Sequence, residues 1–353
     1  MWLEQEQLEV ETVSYVDENG NALKEGISVS EEELAEMYSW MVKARVFDVR
    51  AMKLQRQGRI GTYAPLQGQE AAQIGSAYAM RKNDWVYPSY REIGVSLQKG
   101  LPMERLFLYT MGHLEGLKQQ QANVFPVQII IGAQCLHAVG GAWASQYQEE
   151  DSVSVTYIGD GGTSEGDFHE ALNFAGVYKL PIVFVVQNNQ WAISVPIDKQ
   201  MASKTIAQKA LAYGIAGVRV DGNDAVAMYE TMKEAIEKAK AGTPVLLEAV
   251  TFRQGPHTTA DDPTKYRLPE EETHWGVKDP LMRMKKYMTG LGIWDDERDR
   301  ELFERAESEV TAAFNVAEST ERSGLNDVFE NIYAEKTPQL AEQQLQAKGV
   351  VRQ

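Results

Sequence analysis

The sequence predicts an α/β protein, a parallel sheet flanked by helices and continued by a helical C-terminal region. Three observations carry this expectation. From residue 58 to about residue 250, glycine-marked turns separate helical segments from β-rich runs, the alternation that a parallel sheet requires. Two of those runs are strand-like: residues 153–158 are β-rich and largely apolar, and residues 182–186 are continuously apolar, as a strand covered on both faces is. Beyond Pro280 the composition turns to Glu, Lys, Ala and Leu, with Gly290 and Gly292 as punctuation.

The elements follow in order. Residues 1–30 are polar, with a turn at Glu18-Asn19-Gly20-Asn21, and read as an N-terminal arm or irregular lead-in. Residues 32–56 carry apolar side chains at helical spacing, and Ser30 with Glu33 occupies capping-box positions. The stretch Trp85-Val86-Tyr87-Pro88 is extended. The run 153–158 stops at Gly159-Asp160-Gly161-Gly162, and a helix is expected over 167–178. The run 182–186 leads into Asn188-Asn189. Val218-Arg219-Val220, a helix over 224–240 and a strand over 245–250 add another unit. The chain thus divides into an arm (1–30), an α/β domain (31–279) and a helical region (280–353).

Composition narrows the function classes. With 353 residues, 43% hydrophobic and 24% charged, the chain suits a globular protein with a sizeable core. No apolar run approaches the ~20 residues that span a bilayer. The start, Met1 to Glu6, lacks the features of a secretory or transit segment, so a cytoplasmic protein is expected. A formal charge of −16 argues against nucleic acid, whose phosphates call for a concentrated basic surface. Asp295-Asp296-Glu297 and Glu307-Ser308-Glu309 read as solvated helix faces. Cys135, the single cysteine, lies in an apolar helical stretch and reads as core.

The two strand-end motifs carry the chemistry. A strand, a glycine turn and a helix direct backbone N–H groups and a positive helix end at an anion. The Asp160 carboxylate is a hard oxygen donor suited to Mg²⁺ or Ca²⁺, and an asparagine carbonyl at Asn189 is another. Ligands of open α/β sheets bind at this carboxyl edge. Gly-Asp-Gly-Gly alone is more often a tight turn; its pairing with Asn188-Asn189, one βαβ unit later, points to a bipartite site for a metal and a phosphorylated group.

Asp160 and Asn189 with their glycines resemble the thiamine diphosphate motif. The surrounding blocks resemble the α subunit of the 2-oxo acid dehydrogenase E1 component, from about Met37 to about Asp279. These blocks are Gly68-Gln69-Glu70-Ala71, Tyr90-Arg91, Gly132-Ala133-Gln134, the motif with Ala192-Ile193-Ser194, and residues 253–267. The resemblance implies the thiamine diphosphate-binding fold, with Asp160, Asn189 and the Trp191 carbonyl holding Mg²⁺. It assigns Tyr90 to the aminopyrimidine of thiamine diphosphate, and Arg91, Gly161, Gly162 and Arg253 to the diphosphate side. Ile129 and Ile131 are expected to touch the cofactor, Ile131 as the apolar prop of its bent form, and Ile131 is expected to be buried. Ala64 stands where some relatives carry a cofactor-contacting histidine, which makes Tyr63 the expected contact. Gln187 occupies a position that varies among relatives and decides little.

His257, in a polar loop that no packing pattern explains, is implied to enter the site and assist transfer to a lipoyl group. The other histidines, at 113, 137, 169 and 274, lack metal-ligand spacing and read as structural or surface residues. No glutamate here can be assigned to activating the cofactor's aminopyrimidine. The resemblance implies that a β subunit supplies it, in an α₂β₂ assembly that serves the lipoyl domain of an E2 transacylase. Tyr63-Ala64-Pro65 and Gln254-Gly255-Pro256-His257 look most like the bacterial pyruvate enzymes. Branched-chain 2-oxo acids and acetoin are the alternatives. A nicotinamide dehydrogenase would want a Gly-x-Gly-x-x-Gly turn, which the motif lacks, and a decayed, non-catalytic scaffold would have lost Asp160 or Asn189.

Overall fold

The computed structural model describes residues 10–118 and 122–350. The residues at the start that bear on targeting, 1–9, lie outside the described residues. The strands are β1 (Thr12–Val13), β2 (Trp85–Tyr87), β3 (Ser154–Gly159), β4 (Ile182–Asn188), β5 (Trp191–Ala192), β6 (Val195–Pro196), β7 (Ala216–Asp221) and β8 (Val245–Val250). The helices of the α/β part are α1 (Glu31–Arg56), α2 (Glu70–Tyr78), α3 (Ile93–Gln98), α4 (Met103–Thr110), α5 (Ala133–Tyr147), α6 (Gly166–Tyr178), α7 (Ile197–Gln200), α8 (Lys209–Ala212), α9 (Ala225–Lys240) and α10 (Pro269–Gly276). Then follow α11 (Pro280–Gly290), α12 (Asp296–Ser319), α13 (Leu325–Glu330) and α14 (Pro338–Val350).

Six strands form one parallel sheet in the order β1-β7-β8-β4-β3-β2, and β5 and β6 make a small antiparallel hairpin beside it. Alternation along β4 explains why its run is apolar throughout. Val183 and Val185 enter the cluster beneath α2 and α9, while Ile182, Phe184 and Val186 enter the one beneath α5 and α6. In register, Gly159 lies opposite Gln187 and Asn188 opposite Val250, so the ends of β3, β4 and β8 share one edge. Asp160 and Asn189 follow immediately at that edge.

Local chemistry sets the helix ends. The Ser30 hydroxyl accepts from the Glu33 N–H at 3.2 Å while the Glu33 carboxylate accepts from the Ser30 N–H at 2.8 Å, so α1 starts on a complete capping box. Asp224, expected as the first residue of a helix, is instead the N-cap of α9, accepting from Ala227 at 3.0 Å. Its other oxygen accepts from the N–H groups of Tyr15 and Val16, each at 2.7 Å. That anchor is why the lead-in, expected to be irregular, contributes β1 as an edge strand on β7. Arg283 of α11 closes the same junction by donating to the Val16 carbonyl and to Asp221.

Helices α11 and α12 pack against α1, and α13 packs against α14. Leu302, Ala306, Val310, Phe314 and Ala317 form the buried stripe of α12, at helical spacing. Among the described residues no helix is long and apolar enough to cross a membrane. Cys135 is fully buried in α5, and burial pushes its thiol up to about 12. A thiol reagent at neutral pH is therefore expected to leave the native chain unlabelled and to label it stoichiometrically in denaturant. Rapid labelling of folded protein, followed by mass spectrometry, would contradict this packing.

Candidate active site

A cavity of about 490 Å³ opens where β3, β4 and β8 end. Its wall gathers Tyr63, Tyr90, Arg91, Ile129, Ile131, Asp160, Gly161, Gly162, Asn189, Trp191, Arg253 and His257, residues that span most of the α/β chain. Asp160 is 1% exposed. Its Oδ1 accepts from the Asn189 N–H at 3.3 Å, which ties the two strand ends together. Its backbone carbonyl accepts from the Thr163 hydroxyl at 2.8 Å and the Gln200 amide at 3.1 Å. The Asn189 amide is oriented by donating to Gln69 Oε1 at 3.3 Å and accepting from the Trp191 N–H at 3.4 Å.

Close packing explains the two glycines after Asp160. A Cβ on Gly162 would meet Ile158 at 2.5 Å and Ile131 at 3.1 Å, and one on Gly161 would meet Ala192 at 2.8 Å. Their bare backbone lets the hairpin of β5 and β6 close over the turn.

Facing the oxygens is a cluster of cations. Arg91 and Arg253 are 4% and 1% exposed, and neither has an ion pair with a carboxylate among the described residues. Arg253 donates to the carbonyls of Trp191 (3.1 Å) and Ile193 (2.7 Å) and to the Tyr266 hydroxyl (3.1 Å), which in turn donates to Asp261. Its Nε, and Nε and Nη2 of neighbouring Arg267, have no hydrogen-bond partner among the described residues. Buried guanidiniums held together in this way favour an anion. Burial, Arg91 and Arg267 pull Arg253 down to about 10.

Both guanidiniums also reach His257 Nδ1, Arg91 at 3.3 Å and Arg253 at 3.2 Å. Arginine has no acceptor, so Nδ1 must be unprotonated and the imidazole proton sits on Nε2. Burial, then Arg91 and Arg253, pushes the imidazole down to about 4. Asp160 responds the other way: burial lifts its carboxyl to about 6 against the pull of the backbone N–H groups and of Arg253 and Arg91. The donor set, a carboxylate, an amide carbonyl and a peptide carbonyl opposite guanidiniums without a carboxylate partner among the described residues, would suit a hard divalent cation on one side and a phosphorylated ligand on the other. The Trp191 carbonyl accepts from Arg253 Nη1 at 3.1 Å, which ties it to the guanidinium cluster.

Two expectations change in detail. Ile131, expected to be buried, is 38% exposed, because the loop before α5 turns it towards the cavity above Gly162 instead of into the core. An apolar prop for a ligand has to face the ligand's space. Tyr63 lines the cavity with its ring, but its hydroxyl is engaged by Asp48 at 2.7 Å. Sequence reasoning overlooked a layer beneath the wall. Gln187 joins Gln73 (3.1 Å) to the buried Glu92 (2.6 Å), and Gln73 also donates to the Arg91 carbonyl at 3.1 Å. Asn188 donates to Glu248 at 2.8 Å instead of lining the cavity. Thr62, Tyr109 and Thr110 at the far end of the cavity gave no sequence signal, since nothing in their spacing distinguishes them from packing residues.

A parallel sheet whose carboxyl edge carries this site defines an α/β protein with a pocket suited to a cation and a phosphorylated ligand. Comparison of the chain with known families shows more. The chain belongs to the dehydrogenase E1 component family, which it matches over residues 38–325. It is 44% identical over 342 residues to the pyruvate dehydrogenase E1 component subunit alpha of Staphylococcus aureus, covering 96% of this chain and 92% of that protein. The subunit of the same name from Staphylococcus epidermidis is 43% identical over 346 residues, covering 97% and 94%.

The charge field around His257 is open to direct measurement. In ¹³C-histidine NMR its imidazole is expected to stay neutral as pH falls through 6, charging only near pH 4. Titration near the ordinary value of about 6.5 would show that the two guanidiniums do not face it.

Proposed function

We propose that this chain is the α subunit of a 2-oxo acid dehydrogenase E1 enzyme that uses thiamine diphosphate and Mg²⁺ and acts on pyruvate. The observation that supports the reading most is the meeting of Asp160 and Asn189 oxygens with Arg91 and Arg253 in one cavity of an E1-family chain. The substrate is taken from the staphylococcal relatives, which are named as alpha subunits of the pyruvate dehydrogenase E1 component.

In this reading Asp160, Asn189 and the Trp191 carbonyl hold the metal. Arg91, Arg253 and the Gly161-Gly162 backbone bind the diphosphate, while Ile131 and Tyr90 shape the space for the rings. When bound, thiamine diphosphate supplies the nucleophilic carbon and the electron sink needed to release CO₂ from a 2-oxo acid. Excluding water from the apolar side of the cavity strengthens every charge interaction with these residues. His257, neutral and carrying its hydrogen on Nε2, offers a hydrogen-bond donor that assists acyl transfer to a lipoyl group on E2.

The site is read as half of a shared one. Ile129 and Ile193, 67% and 56% exposed, stand on the cavity wall, an apolar border suited to burial by a second chain. Exposed Trp143 stacks on Tyr178 at 4.6 Å, and Phe174 and Val177 extend that face along α6. A β subunit bringing the activating glutamate, in an α₂β₂ tetramer in the cytoplasm, completes the proposal.

Two measurements test it. Asp160→Ala is expected to abolish Mg²⁺-dependent thiamine diphosphate binding in calorimetry with the circular dichroism spectrum unchanged; an unaltered titration would remove the metal assignment. The chain alone is expected to decarboxylate no 2-oxo acid, and with its β partner to prefer pyruvate over branched-chain acids in a substrate panel. Full activity of the isolated chain would refute the shared site, and a branched-chain preference would refute the substrate.

A further inference from the structure

Asp48 stands on α1, just behind the cavity wall, and is 1% exposed. It forms no ion pair among the described residues, which is unusual for an acid buried so completely. Both of its hydrogen bonds end on Oδ1, from the Tyr63 hydroxyl at 2.7 Å and from the Leu66 N–H at 2.8 Å. Its partners therefore belong to the segment 63–67 and not to its own helix.

That segment is a splint between α1 and the loop carrying Arg253 and His257. The Thr259 N–H donates to the Tyr63 carbonyl and the Gln254 N–H to the Gln67 carbonyl, each at 3.0 Å. Gly255 lies so close that a Cβ on it would stand 3.1 Å from Pro65 Cγ. The Pro65 carbonyl accepts from Arg91 Nη1, while Arg91 Nη2 donates to the His257 carbonyl at 3.1 Å. One face of the splint holds a guanidinium of the site; the other rests on a single carboxyl oxygen.

We propose that Asp48 is a positioning residue for the cofactor site: through Tyr63 and Leu66 it fixes the segment 63–67, and through the Pro65 carbonyl it fixes the Arg91 guanidinium. An apolar side chain would be easier to bury in this position, behind Tyr63, whose ring packs on Phe47 at 6.4 Å. Burial lifts the Asp48 carboxyl to about 6, a measure of how unfavourable its charge is there. What the acid provides is an acceptor for two donors that no neighbouring helix satisfies. A rigid guanidinium placed before the ligand arrives makes a better diphosphate site than one that must be ordered on binding.

The inference rests on the thiamine diphosphate reading, and the experiment separates the two. Thiamine diphosphate is titrated calorimetrically, at saturating Mg²⁺, into the chain assembled with its β partner, and thermal unfolding is followed on the same samples. Asp48→Ala is expected to weaken binding by about tenfold to hundredfold, the usual effect of removing support behind a ligand-contacting group. Asp48→Asn keeps an Oδ1 that accepts both bonds and is expected to restore most of that affinity. Ser30→Ala, which opens the capping box of the same helix, is expected to lower the melting temperature with no loss of affinity. Wild-type affinity in Asp48→Ala, or equal losses in the Ala and Asn variants, would overturn the assignment. Should Asp48→Ala fail to assemble, Tyr63→Phe decides: it removes one of the two bonds, and unchanged affinity there would overturn the proposal. A wild-type assembly that does not bind thiamine diphosphate would remove the functional reading instead.

Discussion

Two guanidiniums, Arg91 and Arg253, are buried within reach of one imidazole nitrogen and have no carboxylate ion pair among the described residues. Much of the site's architecture answers that constraint. Like charges so close in a low-dielectric wall repel, and the protein contains the repulsion with neutral acceptors: the carbonyls of Pro65, Trp191, Ile193 and His257. These carbonyls come from segments far apart in sequence, so holding the arginines in place also holds the loops together. Burial, together with the same field, keeps His257 neutral, and the two guanidinium donors fix its tautomer. It also sets a strong positive potential opposite Asp160, so one carboxylate and two arginines define the two poles of the cavity.

The sheet was legible because its strands are apolar on both sides. Runs such as 182–186 leave no other way to be buried, and their ends are marked by residues that a turn or a metal requires. The poles were legible for the same reason: Asp160, Asn189, Arg91 and His257 are polar residues at strand ends and in a loop, where packing does not explain them. Their roles as ligands came from resemblance, since a strand-end aspartate by itself does not specify a cofactor.

What could not be read was the layer behind. Gln187 looked indifferent on the chain, yet it bridges Gln73 and Glu92 across separations of 114 and 95 residues. Glu248 lies in a strand whose alternation says only that its side chain is inside; its bonds to Asn188 and to the N–H groups of Ile206 and Ala207 depend on three-dimensional neighbours. Ile131 failed in the opposite sense. Hydrophobicity predicts removal from water, and it does not say whether the apolar surface that removes it belongs to the protein or to a ligand.

The junction of Asp224 with Tyr15 and Val16 has a consequence in time. The partners are 209 and 208 residues apart, and Arg283, which closes the junction, lies 267 residues from Val16. During synthesis the edge strand leaves the ribosome first, yet it has nothing to pair with until β7 and α9 follow, roughly ten to forty seconds later at ordinary elongation rates. The first strand of the sheet to be made thus waits for a partner encoded about two hundred residues later, a long-range pairing of the kind that slows folding.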